Sequence, residues 1–200
     1  MSTTMRSEGY SLWLVPSFSS ALYTTIQSLI NTIPSTYPDT NTPTFNPHIT
    51  LTAGTIHLDH DQDPAEWLAH TTFSAAQQNL KVTINELHVG EIFFQKLIML
   101  CEKTDELLGL AKECRKLATG EGEEDVESSD LPQSDVQAVL GQVKADIWEA
   151  RRPNPDSTTA KGAEIWLVPT FTTIEDWTPV ATKELPDVEW TWATWGRIDH

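Results

Sequence analysis

His48 and Thr50 stand two residues apart in the stretch Phe45-Asn46-Pro47-His48-Ile49-Thr50-Leu51-Thr52. Polar and apolar residues alternate there, which predicts a short, half-buried strand. Successive side chains on a strand point to opposite faces, so His48, Thr50 and Thr52 are expected on one face and Ile49 and Leu51 on the other. An imidazole and a hydroxyl so placed can grip one phosphate, the ring moving protons while the hydroxyl donates to an oxygen. Two such half-sites facing each other could open a cyclic phosphate without metal. One histidine, as base, takes a proton from water, and the other, as acid, protonates the departing ribose oxygen. Taken alone, His48 and Thr50 also read as a strand-edge histidine beside a β-favouring threonine.

The elements that must position this pair follow from local pattern. Tyr10 to Phe18 is a compact apolar strand candidate. Ser19 or Ser20 caps a helix with Leu22, Ile26, Leu29, Ile30 and Ile33 at helical spacing, and Pro34 is its expected stop. Asp63-Pro64-Ala65-Glu66 is a helix start with Asp63 as cap, for a helix reaching about Leu80. Val82–Val89 and Lys96–Glu102 read as strands. Thr104 caps a helix with a Leu107, Leu110, Ala111, Cys114, Leu117 stripe. An acidic stretch from Gly120 to Asp130 follows, then a helix from Ser134. Arg152–Gly162 reads as a loop, Ala163–Phe171 as a strand, and Val188–Ile198 carries Trp190, Trp192 and Trp195 in alternation. Two segments are near copies: Leu12-Trp13-Leu14-Val15-Pro16-Ser17-Phe18 and Ile165-Trp166-Leu167-Val168-Pro169-Thr170-Phe171.

Composition excludes some classes of function. The chain has 200 residues, enough for a sizeable core, and its net charge of −16 repels phosphate backbones, so long DNA or RNA is a poor ligand. A small anion remains compatible if the site brings its own donors. No run of 18 apolar residues predicts a membrane span, and residues 1–8 hold no apolar signal core, so a cytoplasmic protein is expected, with peripheral association with the Golgi or another internal membrane left open. Cys101 and Cys114 fit buried thiols rather than a disulfide framework or metal site. His57 and His60 lie near Asp59 and Asp61 with no convincing third ligand, His70 falls inside a predicted helix, His88 ends a strand and His200 is terminal. The closing tryptophans could stack a base, though alternating Trp on a strand reads better as core.

The segments YSLWLVPSF, NPHITLT, KLIMLCE with its Leu-rich helix, AEIWLVPTF and the closing Trp-Gly-Arg-Ile-Asp together resemble the fungal 2′,3′-cyclic-nucleotide phosphodiesterases, a branch of the 2H phosphoesterases, over nearly the whole chain. The resemblance implies an α+β fold, a single domain over residues 1–200, with two pseudo-symmetric lobes of antiparallel sheet and outer helices around a central cleft. It implies a hydrolase of nucleoside 2′,3′-cyclic phosphates and of ADP-ribose 1″,2″-cyclic phosphate, placed in RNA processing. No metal or other cofactor is expected, and the partner is the small-molecule cyclic phosphate, met by a monomer. In this reading His48 is catalytic and Thr50 binds the phosphate.

One departure accompanies the match. Family members carry a second motif resembling Pro-His-x-Ser-Leu-Leu-Tyr-Ser-Asp before the helix that here starts at Ser134, whereas this chain has Val126-Glu127-Ser128-Ser129-Asp130-Leu131-Pro132. The order of elements points to the same gap, the acidic loop at 119–133. Losing a proton-transfer group removes an effect of about 10²–10⁴-fold, so little or no turnover is expected. The alternative function is a degenerate member that binds phosphorylated nucleotides or acts as an interaction protein. The stretch from Gly120 to Pro132 is expected to be mobile.

Overall fold

The computed structural model describes residues 9–36, 44–74, 76, 79–88, 98–119 and 158–193. The acidic stretch, the helix expected from Ser134, Trp195 and His200 lie outside these residues. The described chain is α+β: β1 (Ser11–Pro16), α1 (Ala21–Thr36), β2 (Ile49–Thr50), α2 (Pro64–His70), β3 (Lys81–His88), β4 (Ile98–Cys101), α3 (Asp105–Thr119), β5 (Thr159–Val168) and β6 (Ala181–Trp192), with a 3₁₀ turn at Ile174–Asp176. The six strands form one sheet in the order β2-β1-β5-β6-β3-β4. All pairings are antiparallel except β3 with β6. That parallel pair departs from the expectation of antiparallel sheet, and the chain meets the need for a long crossover by passing through β4, α3 and β5 first.

The two near-copies lie side by side at the centre of this sheet. Trp13 pairs with Trp166, while Leu12 faces Leu167 and Leu14 faces Ile165. Each residue thus meets the counterpart of its mirror position, and a local two-fold passes between the two tryptophans. Strand alternation sends Leu12, Leu14, Ile165 and Leu167 to one face, where Leu22 and Ile26 of α1, Leu68 of α2 and Leu110 of α3 pack against them. The opposite face gathers Trp13, Val15, Trp166 and Val168 with Tyr23 from α1, and Trp177 packs beside them. Both faces of β1 are therefore buried, which explains its unbroken apolar run.

Several boundaries move for identifiable reasons. β1 is shorter than Tyr10–Phe18: Tyr10 makes an isolated bridge to Ile56, and the chain turns after Pro16 to let Ser20 cap α1 through the Tyr23 amide. α1 runs two residues beyond Pro34. α2 starts as expected, with Asp63 accepting from the Ala65 amide at 2.7 Å, but stops at His70 instead of reaching Leu80. There the Lys183 ammonium of β6 donates to the carbonyls of Ala69 (2.8 Å) and Thr71 (2.5 Å), a cationic cap on the helix C-terminus. α3 begins behind Thr104, whose hydroxyl accepts from the Leu107 amide. β5 starts at Thr159, inside the expected loop, because Gly162 adopts φ +87° at a bulge between Lys161 and Ala163. The freed Gly162 carbonyl accepts from the Ser17 amide and the Trp190 indole.

The His48 strand shows the expected alternation for four of its five residues. Leu51 is buried in the main core and Ile49 packs against it, while Thr50 is exposed on the other face. Thr52 does not join His48 and Thr50. The ladder breaks after Thr50, the Leu12 carbonyl receives both the Leu51 and Thr52 amides, and the buried Thr52 hydroxyl accepts from the Leu12 amide at 2.9 Å. A side-chain oxygen has replaced a backbone carbonyl in the sheet. Thr52→Val, of nearly equal volume, leaves the Leu12 amide buried and unpaired, and should cost about 1–3 kcal/mol in urea unfolding. A variant as stable as the parent would show that this bond carries no net stability.

Candidate active site

His48 is placed by three local constraints. Pro47, buried and fixed in φ, sets the entry to β2. The imidazole lies flat on Trp13, with ring centroids 3.6 Å apart and planes 7° from parallel, and Phe45 tilts against it at 5.4 Å. Its Nδ1 is 2.7 Å from the Asn46 carbonyl oxygen. A carbonyl only accepts, so Nδ1 carries the hydrogen, and in the neutral ring Nε2 holds the free lone pair. Burial pushes the pKa of His48 down to about 4, against a smaller upward pull from the Asn46 carbonyl. At neutral pH this side chain is an unprotonated imidazole with one nitrogen ready to accept a proton, the form a general base requires.

Thr50 pairs with Trp13 across β1, so hydroxyl and imidazole both stand on the Trp13 face. The structure thus brings together the two residues that the sequence singled out. Around them are groups that sequence reasoning did not find. The Tyr23 hydroxyl donates to the Asn46 side-chain oxygen at 2.7 Å. Glu164 of β5 accepts from the Trp166 indole at 2.9 Å, and burial first, then the Glu164 charge, raises the Tyr23 pKa, which keeps that phenol a donor. Trp177 meets Trp13 edge-on at 6.0 Å. The alternation that set His48 apart from Ile49 would have set Trp13 apart from Leu12 and Leu14. No spacing signal links Tyr23 to Asn46.

The local two-fold gives Thr50 a partner on the far flank. Trp166 pairs with Thr182 as Trp13 pairs with Thr50, so a row Thr50, Trp13, Trp166, Thr182 crosses the sheet. Two residues before Thr182, where symmetry would look for a second histidine, stands Val180, 46% exposed. Among the described residues this flank offers a hydroxyl and no base.

Other sequence candidates stay apart. His60 pairs only with its exposed neighbour Asp61, His57 is exposed in the same loop, and His70 sits at the end of α2 against the Glu66 carbonyl. His88 closes β3 opposite Ile98. Among the described residues no three His, Cys, Asp or Glu side chains converge as a metal site needs. Trp190 and Trp192 are buried in the main core, so neither is a stacking platform. Burial raises the Cys101 thiol to about 11 and the Cys114 thiol to about 12, and both are free cysteines. Among the described residues no helix is long and apolar enough to cross a membrane.

Comparison with other proteins bears on the same residues. The family described as cyclic phosphodiesterase-like protein matches residues 8–135, a span holding β1, the His48 strand and α3. The chain is 29% identical to a 2′,3′-cyclic-nucleotide 3′-phosphodiesterase of Phaeosphaeria nodorum, over 88% of this chain and 99% of that one. The enzyme of the same description from Neurospora crassa is 26% identical over the same shares. One from Kluyveromyces lactis is 30% identical over 56% of this chain and 55% of its own. With a matched span that covers most of its length, the chain belongs to the cyclic phosphodiesterase-like family of hydrolases.

Proposed function

We propose that this chain acts on nucleoside 2′,3′-cyclic phosphates through His48 and Thr50, giving the 2′-phosphate, and that ADP-ribose 1″,2″-cyclic phosphate fits the same chemistry. The observation that carries the reading is the fixed neutral imidazole, Nδ1 tied to Asn46 and face stacked on Trp13, with the Thr50 hydroxyl on the same face. Water gives a proton to Nε2 as its oxygen bonds to phosphorus. The P–O3′ bond breaks and the ribose oxygen takes a proton from solvent, the protonated ring then returns its own to solvent, and the Thr50 hydroxyl donates to a non-bridging oxygen. The transfers pass between water, His48 and the ribose oxygen, so the reading calls on no metal. A single two-lobed domain, monomeric and cytoplasmic, belongs to the same reading.

The acid for the ribose oxygen is the weak point of this chain. Between Ala118 and Ser134 the sequence has no histidine, where the family pattern puts the second motif. That observation favours a second reading, a member that binds cyclic or terminal phosphates with turnover reduced by about 10²–10⁴-fold. A hydrolysis assay on adenosine 2′,3′-cyclic phosphate, run beside a version with Pro-His-x-Ser restored before Ser134, separates the two. Turnover that rises with restoration supports the binding reading for the chain as it stands, and equal turnover supports the enzyme.

His48→Ala should remove residual turnover, and in calorimetry the heat of binding a 2′-nucleotide should fall. Identical heats in both proteins would take His48 out of the site. Thr50→Val should weaken nucleotide binding about fivefold through one lost hydrogen bond while unfolding stays unchanged, since Thr50 is exposed. The base limb of the kcat/KM profile should lie near pH 4, below the 6.5 of an ordinary imidazole, because burial opposes the charged ring. A limb between pH 6 and 7 would mean that the working ring is not held as described.

A further inference from the structure

The tautomer of His48 depends on where residues 45 and 46 lie, and α1 holds both. The Tyr23 hydroxyl donates to the Asn46 side-chain oxygen at 2.7 Å, and the Gln27 amide donates to the Phe45 carbonyl at 3.3 Å. Tyr23 and Gln27 are four residues apart, hence neighbours on one helical face. Tyr23 is 5% exposed and rests on Phe18 at 4.7 Å, so its hydroxyl cannot swing away without disturbing packing. α1 itself is anchored by Leu22, Ile26 and Leu29 in the main core. A rigid helix thereby reaches across to the loop whose next carbonyl takes the Nδ1 hydrogen of His48.

We propose that Tyr23 and Gln27 form a two-point clamp on Phe45 and Asn46 and act as positioning residues that fix His48 as the tautomer with its lone pair on Nε2. Neither touches substrate. The proposal rests on the phosphate reading only for its consequence in catalysis, because the clamp is a property of the free protein. Without it the Asn46 carbonyl moves off Nδ1, the hydrogen is free to reside on either nitrogen, and a fraction of the protein presents Nε2–H where a base is needed. The network also explains why a residue as costly to bury as tyrosine sits beneath this loop with its hydroxyl aimed at a side-chain amide.

The test is the ¹⁵N signature of the His48 ring, assigned by its loss in His48→Ala. The parent should show a protonated Nδ1 and an unprotonated Nε2. Tyr23→Phe keeps the ring and its packing, Gln27→Leu keeps bulk, and Asn46→Leu removes the acceptor from the other side. Each should mix the two nitrogen shifts, and Tyr23→Phe with Gln27→Leu should mix them further. The affinity for adenosine 2′-phosphate should change by about twofold at most in Tyr23→Phe, the effect of an evenly mixed tautomer on a ligand that reads one of the two forms. Folded variants that keep the parental ring shifts would overturn the clamp, and Asn46→Leu decides the matter if the Tyr23 variant does not fold. Should no protein bind the nucleotide while the ring shifts still differ, the phosphate reading falls and the clamp stands.

Discussion

The antiparallel pairing of β1 with β5 is the contact on which the rest of the molecule depends. Every other strand hangs from that pair directly or through β6: β2 on the outer edge of β1, β6 on β5, and β3 with β4 beyond. Because Trp13 stands opposite Trp166, one face of the pair is aliphatic and takes the helices. The other presents two indoles, and of the helices only Tyr23 of α1 reaches it among the described residues. An aromatic pair in a sheet buries large area with little rotamer freedom to lose, so it can form a firm floor without a covering layer. The His48 imidazole uses that floor. His48 is laid flat on Trp13, with Phe45 tilted against its other side.

From that placement the chemistry follows in one direction. A ring stacked on indole and bonded through Nδ1 to a carbonyl loses water on its face and edge, and loss of water disfavours the charged form. The packing that orients the ring thus also keeps it neutral, against a smaller upward pull from the Asn46 carbonyl. A histidine meant as an acid would need a carboxylate or open solvent near it to hold its proton. Glu164, the carboxylate on this face, is engaged by the Trp166 indole, and the group on which its charge acts is Tyr23. Among the described residues, the ring's own proton chemistry is acceptance at Nε2.

Much of this was legible in the sequence, and the parts that were not have a common cause. The period of two over His48–Leu51 gave the face of His48 and Thr50, and capping chemistry gave the starts of α1, α2 and α3. Those signals are local. The end of α2 is set by Lys183, more than a hundred residues away, so the helix expected to reach about Leu80 stops at His70. Gly162 let β5 begin inside a loop-like sequence, and Thr52 broke register by bonding the Leu12 amide. The near-copies were visible as text, but their meeting across a two-fold was not, because register between distant strands leaves no trace in either one.

The two-fold also sharpens what is absent. A symmetric floor would carry a base over each tryptophan, yet the flank of Trp166 offers Thr182 preceded by Val180, and the flank of Trp13 offers Thr50 preceded by His48. Among the described residues, the groups about the imidazole are aromatic, amide, hydroxyl and one carboxylate, none of them cationic. Such a surface in a chain of net charge −16 would have to hold an anion by the neutral donors of the described residues. A cyclic phosphodiester carries one negative charge, and the monoester it would yield carries nearly two at neutral pH. Electrostatics therefore disfavours the product more than the substrate, so a site of this kind binds its ligand weakly and releases a hydrolysed one readily.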